Sequence, residues 1–329
     1  MRNAVILSSG AYVPRRVMPN SYFNESLGED VDSWLRTNLN IFERRWCDED
    51  ESTVDLCVAA AKQALDRAGL DASRLNLIIV ATDTPEYLSP STASVVQYRL
   101  QAGYAGTFDL NTACAGFVTA LDVASKYIRT DERCEYVLVI GAYAMSRYLN
   151  PEDKRTVTLF ADGAGAILLG AGKGLDTGYL DSEILTLGQY YDGMGIYGGG
   201  TKIPISHEMI DRKEHLLKMV YRFPPELNPQ MWTYLARNMC ERLNLTPEQV
   251  DHYVFTQINI RSIRLTMANL HQPMEKAPTA MDRYGYTGSA CIPIAYNDAW
   301  EKGLIRPQQT VFMIGSGGGL SFGSVAFRI

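Results

Sequence analysis

The chain has 329 residues, of which 46% are hydrophobic and 21% are charged, and its net charge at pH 7 is −6. This composition is typical of a globular protein, and the length allows two domains or two halves that share one core. The acidic balance, without a run of lysine and arginine, argues against nucleic acid as a partner. No stretch approaches the ~18 apolar residues of a membrane helix, and the first apolar run is too short for a signal peptide, so we expect a cytoplasmic protein with no membrane partner.

Cysteine and histidine spacing argues against crosslinks and metal sites. The six cysteines form no Cys-x-x-Cys pair, which is typical of reduced thiols rather than of a disulfide framework. The four histidines have no metal-ligand spacing with each other or with cysteine, so we expect no structural metal.

In the first half of the chain, apolar strands alternate with amphipathic helices, which is the pattern of an α/β fold. The clearest helix has Ser52 as its predicted N-cap, Gly69 as its predicted end, and an apolar stripe between them. Strands are predicted at 4–7, 75–81, 108–110, 136–141 and 165–169, and helices at 52–68, 91–101 and 115–128.

The second half repeats this alternation, with matching strands in the same order, and therefore indicates two pseudo-equivalent halves. We divide the chain into an N-terminal half, 1–170, and a C-terminal half, 171–329. The segment 170–230 has little periodicity and contains three consecutive glycines, so we interpret it as loops that cover a site. Helices are predicted at 230–243, 260–270 and 292–303, and strands at 252–256, 310–315 and 321–328.

Cys114 is a candidate nucleophile because it lies where a predicted strand turns into a helix. Its small neighbours allow a ligand and the backbone to come close, and the positive end of a helix dipole favours a thiolate. Most free cysteines are nevertheless packed hydrophobic residues. From the residues alone, a nucleophile and a core cysteine both remain open.

Four motifs are spread along the chain. They are Gly10-Ala11-Tyr12-Val13-Pro14, Ala113-Cys114-Ala115-Gly116-Phe117, the Leu-Phe-Ala-Asp-Gly-Ala-Gly-Ala run at 159–166, and Gly317-Gly318-Gly319. Together they resemble the β-ketoacyl-acyl-carrier-protein synthase III family of the thiolase-like superfamily. The resemblance implies a duplicated five-layer α-β-α-β-α fold, a homodimer, and Cys114 as the acylated residue. It also implies an oxyanion hole formed by the backbone N–H groups of Cys114 and Gly318.

Two catalytic positions depart from the family pattern. Thr256 stands where the family has the histidine of His-Gln-Ala-Asn-x-Arg, and Tyr286 stands where it has the asparagine of Gly-Asn-Thr-Ser-Ala. Each offers one hydroxyl as a hydrogen-bond donor, but neither is a base near neutral pH. We therefore expect standard malonyl decarboxylation to be impaired or lost, whereas acylation of Cys114 survives.

An acyl-enzyme without a general base favours an acceptor that brings its own nucleophilicity, such as an amine, a thiol or an acidic carbon. Two alternatives remain. One is a decarboxylating synthase that uses Thr256 and Tyr286 as hydrogen-bond donors. The other is a non-catalytic scaffold subunit that pairs with an active paralogue.

The resemblance also implies an acyl-coenzyme A or acyl-carrier-protein thioester as the donor, which is a substrate, and no cofactor. Trp34 matches the family's tryptophan against the adenine of coenzyme A, and Lys154 stands where the family has the stacking arginine. Arg155 follows at a position where a small residue is usual, and Asn259 and Arg261 complete the predicted donor site. Because lysine and arginine do not stack equivalently, both kinds of donor remain candidates.

Overall fold

The computed structural model describes residues 2–174 and 176–329. The strands are β1 (Arg2–Tyr12), β2 (Arg16–Pro19), β3 (Glu43–Trp46), β4 (Leu77–Ala81), β5 (Gly106–Leu110), β6 (Tyr136–Ala144), β7 (Asp162–Lys173), β8 (Gly178–Thr186), β9 (Met194–Gly195), β10 (Lys218–Met219), β11 (His252–Phe255), β12 (Thr310–Gly317) and β13 (Ser321–Arg328). The helices are α1 (Asn20–Leu27), α2 (Asp32–Trp34), α3 (Thr53–Ala68), α4 (Thr92–Leu100), α5 (Gly116–Thr130), α6 (Lys154–Val157), α7 (His207–Asp211), α8 (Leu227–Leu243), α9 (Ile260–Asn269), α10 (Met281–Tyr284) and α11 (Cys291–Glu301).

The first sheet has the strand order β1-β7-β6-β4-β5, in which β4 is parallel to both β5 and β6. Helices α3 and α4 pack together on one face, and α5 and α11 cover the other. Helix α3 begins after its predicted N-cap, Ser52, which forms a capping box with Asp55. It ends as predicted at Gly69, which has the left-handed conformation.

The second sheet has the order β11-β12-β13-β8. Helix α5 contacts both sheets, and α8, which packs against α9, covers the outer face of the second sheet. The layers therefore follow the order α-β-α-β-α, which confirms the predicted five-layer fold. The two sheets divide the chain between β7 and β8, close to the boundary at 170/171, although the two halves as domains stay a prediction.

The sequence interpretation missed β8, which lies within the segment interpreted as loops. This strand is at the edge of its sheet, and its outward side chains are charged rather than alternately apolar. Asp181 and Glu183 each contact Arg242 of α8 at 2.7 Å. These ion pairs replace the apolar periodicity by which a strand is recognised in sequence. The same segment also contains β9, β10 and α7.

The Asp-Gly-Ala-Gly-Ala motif at the start of β7 has a packing explanation. A Cβ atom on Gly165 would lie 2.6 Å from the Cβ of Pro293, so only glycine lets α11 come this close to the sheet. The Asp162 carboxylate accepts hydrogen bonds from the N–H groups of Cys47 and Ser146 at 2.7 and 2.8 Å. Gly165 therefore sets the contact between the sheet and the central helix layer, whereas Asp162 ties β7 to the chain after β3 and β6.

No helix within the described part of the chain has the length and apolar character that crossing a membrane requires.

Candidate functional site

Cys114 lies in a short loop between β5 and α5. Ala113 before it has a positive φ of 47°, and its N–H donates to the Asn111 side chain at 2.9 Å. This strained turn aims the loop at the end of the second sheet, and the Cys114 side chain is only 2% exposed. All six cysteines are free and buried, so burial alone does not single out Cys114.

The turn between β12 and β13 closes against the Cys114 loop. A Cβ atom on Gly317 would lie 2.5 Å from the backbone nitrogen of Cys114, and one on Gly318 would lie 3.9 Å from the Cβ of Ala113. Within residues 2–174 and 176–329, the N–H groups of Cys114 and Gly318 donate to no carbonyl in hydrogen-bond geometry. Two neighbouring backbone N–H groups without an acceptor are able to stabilise an anionic oxygen by hydrogen bonds.

A cavity of about 470 Å³ leads from the surface to this turn. Its mouth is at Trp34, which is 55% exposed, and its inner end is at Tyr286, Gly317 and Gly318 beside Cys114. The cavity therefore ends beside the Cys114 loop, whereas Cys114 does not line the cavity and its thiol is buried.

The protein opposes ionisation of the Cys114 thiol. Burial raises its pKa well above the usual value, the nearby charge of Asp83 adds to that effect, and the Tyr286 hydroxyl works against it. Desolvation therefore outweighs the preference for a thiolate that the helix end was predicted to give. Burial also raises the pKa of Tyr286, which stays neutral and acts as a hydrogen-bond donor.

Thr256 and Tyr286 occupy different settings. Tyr286 lines the inner end of the cavity, whereas Thr256 is fully buried and does not line it. The Thr256 hydroxyl accepts a hydrogen bond from the Ser316 N–H at 3.0 Å and lies 3.4 Å from the Ser316 carbonyl oxygen. It is thus engaged with the β12 backbone, and Tyr286 is the hydroxyl that faces the substrate space.

The sequence interpretation missed Asp83, which follows β4 at the same sheet edge as Cys114. Burial raises the pKa of its carboxyl from 3.8 to about 6, and its Oδ1 atom has no hydrogen-bond partner among the described residues. The sequence did contain a signal: a carboxylate stands two residues after the apolar strand β4. In parallel sheets this is where ligand sites form.

The predicted donor residues gather at the cavity. Trp34, Lys154, Arg155, Asn259 and Arg261 all line it. Lys154 and Arg155 are ion-paired at the surface, with Glu29 at 2.9 Å and Asp153 at 3.0 Å. The Asn259 side chain caps α9 by accepting from the Arg261 N–H at 2.8 Å.

Two cations at the mouth have no acidic partner in the described chain. Arg261 and Arg222 both line the cavity, and neither takes part in an ion pair there. The positive charge at the mouth is therefore available to an anionic ligand.

In the same residues, no group of three His, Cys, Asp or Glu side chains is arranged to hold a metal ion.

Comparison with known proteins gives a consistent picture. The model of the 3-oxoacyl-[acyl-carrier-protein] synthase III family matches residues 108–188, and the model of its C-terminal part matches residues 240–329. The β-ketoacyl-[acyl-carrier-protein] synthase III of Paracoccus denitrificans is 36% identical over 100% of both chains. The same enzyme from Syntrophomonas wolfei is 34% identical over 98% of this chain and 96% of its own.

Solved structures agree with this similarity. The 3-oxoacyl-[acyl-carrier-protein] synthase III from Aquifex aeolicus superposes with a TM-score of 0.89 at 31% identity, covering 99% of this chain and 100% of its own. The enzyme from Pseudomonas aeruginosa gives a TM-score of 0.90 at 28% identity, with 99% and 98% of the two chains covered.

Proposed function

Because the chain belongs to the 3-oxoacyl-[acyl-carrier-protein] synthase III family, we propose that it is an acyltransferase that carries an acyl group as a thioester on Cys114. One observation carries the proposal. The cavity ends beside Cys114 at two backbone N–H groups that have no acceptor in the described chain. A thioester carbonyl there would have a nucleophile on its carbon and donors for its oxygen.

We propose that standard malonyl decarboxylation is not the main reaction. Decarboxylation builds negative charge on the thioester oxygen, so it needs hydrogen-bond donors aimed at that oxygen. Tyr286 faces the cavity, but the Thr256 hydroxyl is held by Ser316. The cavity thus offers one side-chain hydrogen-bond donor where the family has two. This difference favours acyl transfer over the alternative of a decarboxylating synthase.

We propose an acceptor that is itself a good nucleophile, such as an amine, a thiol or an acidic carbon. The hydroxyls that replace the family's histidine and asparagine are not bases near neutral pH, and the Asp83 carboxyl does not line the cavity by which an acceptor would enter. Steady-state rates with amine, thiol and alcohol acceptors of matched chain length test this idea. A simple alcohol as the best acceptor would contradict it.

Acyl-coenzyme A and acyl carrier protein are the proposed donors. Curated relatives carry the acyl carrier protein in their names. The cavity mouth supports both donors, because it combines an exposed indole with Arg222 and Arg261. The indole suits an adenine, and the arginines suit phosphates or acidic carrier side chains.

We also propose a homodimer and a cytoplasmic location. Strand β5 is at the edge of its sheet, and Leu88, Tyr98 and Tyr104 near it are exposed apolar side chains that a second copy would cover. Light scattering should give twice the chain mass. Leu88→Asp should weaken the dimer. Ile205→Asp is the control, because Ile205 is exposed in the segment 170–230, and it should leave the dimer unchanged. Six free thiols suit a reducing compartment.

One experiment separates the candidate functions. The protein is incubated with a panel of acyl-coenzyme A and acyl-carrier thioesters, and the Cys114 peptide is analysed for an acyl mass increment, with Cys114→Ala as the control. An increment supports the acyltransferase. No increment with any donor would favour the scaffold subunit, and release of carbon dioxide from a malonyl thioester at the rate of product formation would favour the decarboxylating synthase.

A further inference from the structure

Three adjacent parallel strands place reactive side chains at one edge of the first sheet. In β4, Ala81 pairs with Leu110 of β5 on one side and with Gly141 of β6 on the other. Asp83 lies two residues beyond Ala81, and Tyr143 lies two residues beyond Gly141. Asp83 is therefore level with the end of β6 and next to the loop that carries Cys114.

Backbone contacts hold Asp83 in this place. The Thr82 N–H donates to the Leu110 carbonyl at 3.1 Å, and the Ala144 N–H donates to the Thr84 hydroxyl at 2.9 Å. The chain on both sides of Asp83 is thus tied to β5 and β6. The position of the carboxyl between the Cys114 loop and Tyr143 is set by the sheet, not by a mobile loop.

The Asp83 carboxyl is an unusual group for this position. Its Oδ1 atom is buried without a hydrogen-bond partner among the described residues, and an unpaired buried carboxylate costs free energy. Its charge is felt by the Cys114 thiol and by the Tyr143 hydroxyl, and it raises the pKa of both after the larger effect of burial. Such a costly arrangement beside a nucleophile is typical of a functional group.

Other groups near Cys114 cannot take up its proton. Burial raises the pKa of Tyr143 and Tyr286 well above 10, so both remain neutral. Burial also raises the pKa of Cys291, to about 12. No histidine of the described chain lines the cavity, and the ring of His252 instead contacts the Leu304 carbonyl.

We propose that Asp83 is the proton acceptor for the Cys114 thiol, in place of the histidine that this chain lacks. The proposal rests on the acyl transfer proposed above. The Cys114 sulfur attacks the carbonyl carbon of the donor thioester, and its proton passes to the Asp83 carboxylate directly or through one water. The N–H groups of Cys114 and Gly318 hold the oxyanion. The bond from carbon to the donor sulfur then breaks, and the leaving thiolate takes the proton back from Asp83.

Replacing the carboxylate by an amide tests this role with two measurements of opposite sign. In Asp83→Asn, the rate of acyl-enzyme formation on Cys114 should fall by about 100-fold or more, because a positioned base contributes that much. Alkylation of Cys114 by iodoacetamide at the same pH should become several-fold faster, because loss of the neighbouring negative charge lowers the thiol pKa. A merely structural role would not slow one reaction and accelerate the other.

Two further variants complete the design. Asp83→Glu keeps a carboxylate and should restore part of the acylation rate. Glu86→Gln neutralises a carboxylate three residues away, which accepts from the Val54 N–H at 3.0 Å, and should change neither reaction.

The outcomes distinguish this proposal from the function on which it rests. If Asp83→Asn acylates within about twofold of the unmodified protein, or changes only the preferred acyl chain, the proton-acceptor role is overturned. If the unmodified protein accepts no donor, the acyl-transfer function fails, but the alkylation comparison still applies. An unchanged alkylation rate would then show that Asp83 and Cys114 are not coupled.

Discussion

At the residue scale, the raised pKa of the Cys114 thiol, the proposed nucleophile, keeps that thiol protonated near neutral pH. Burial and the Asp83 charge raise the pKa of the Cys114 thiol, and Tyr286 offsets only part of this rise. A protonated thiol is protected from oxidation and alkylation, but it reacts only if its proton is removed during attack. The reactivity of the buried Cys114 thiol therefore depends on a nearby base and on a substrate that excludes water from the site.

The Tyr286 hydroxyl should matter for both ionisation and transition-state charge. In Tyr286→Phe the thiol pKa should rise further and one donor is lost, so acylation of Cys114 should slow by roughly 10- to 100-fold. Single-turnover mass spectrometry with the best donor measures this rate. Tyr284→Phe is the matched control, because that hydroxyl accepts a hydrogen bond from Arg283 at 3.0 Å and Tyr284 does not line the cavity. Equal rates in the two variants would contradict a role for Tyr286.

At a pH above its pKa, the ionised Asp83 carboxylate should lower the free energy of unfolding of the protein. Folding raises the pKa of this carboxyl from 3.8 to about 6. Its contribution to the free energy of unfolding is therefore largest below pH 3.8 and is lost as the pH rises through 6. A rise of this size corresponds to at most about 3 kcal/mol.

Thermal unfolding of Asp83→Asn measures this cost. The variant should melt at a higher temperature than the unmodified protein at pH 8, and the difference should shrink as the pH falls towards 4. A lower melting temperature at pH 8 would mean that Asp83 stabilises the fold. A group that lowers stability at the pH of function is typical of active sites.

At the element scale, the site depends on how closely the β12–β13 turn approaches the Cys114 loop. In Gly317→Ala the added Cβ would lie 2.5 Å from the Cys114 nitrogen and 2.8 Å from the Thr112 carbonyl oxygen. Both neighbours are backbone atoms, so the turn must move away. Acylation should fall at least tenfold, with a loss of about 1–3 kcal/mol in stability. Gly200→Ala is the control, because no heavy atom lies within 4 Å of its added Cβ.

The sequence predicts the six long helices and every strand of the two main sheets except the edge strand β8. It predicts site residues that belong to a local motif better than residues that reach the site only through folding. Helix α3 could be predicted because its cap, apolar stripe and final glycine are all local signals. Strand β8 could not, since Arg242 neutralises its charged face from another element. The sequence places the Asp83 carboxylate just after β4, but only the pairing of β4 with β5 brings it beside Cys114.

At the scale of the whole molecule, the cavity joins the two halves of the chain. Trp34 and Lys154 at its mouth come from the first half, whereas Arg222, Arg261 and the inner glycines come from the second. The proposed donor would therefore pass between parts that are distant in sequence before it reaches Cys114. In that proposal, the donor is recognised at the surface and reacts at the inner end of the cavity.

Acyl-coenzyme A and an acyl-carrier-protein thioester differ in the part that would lie at the cavity mouth. They share the acyl thioester that would reach the inner end. Coenzyme A carries an adenine, which a carrier-protein thioester lacks, and Trp34 is the exposed aromatic residue that could stack on it. Trp34→Ala should raise KM for acyl-coenzyme A by about tenfold, which corresponds to about 1.4 kcal/mol, and leave KM for the acyl carrier protein within twofold. Steady-state kinetics with one acyl chain on both donors measures the two values. Tyr191→Ala removes an exposed aromatic residue that does not line the cavity and should change neither KM. If Trp34→Ala raises both values equally, the indole contacts a part that the donors share, and recognition of adenine is excluded.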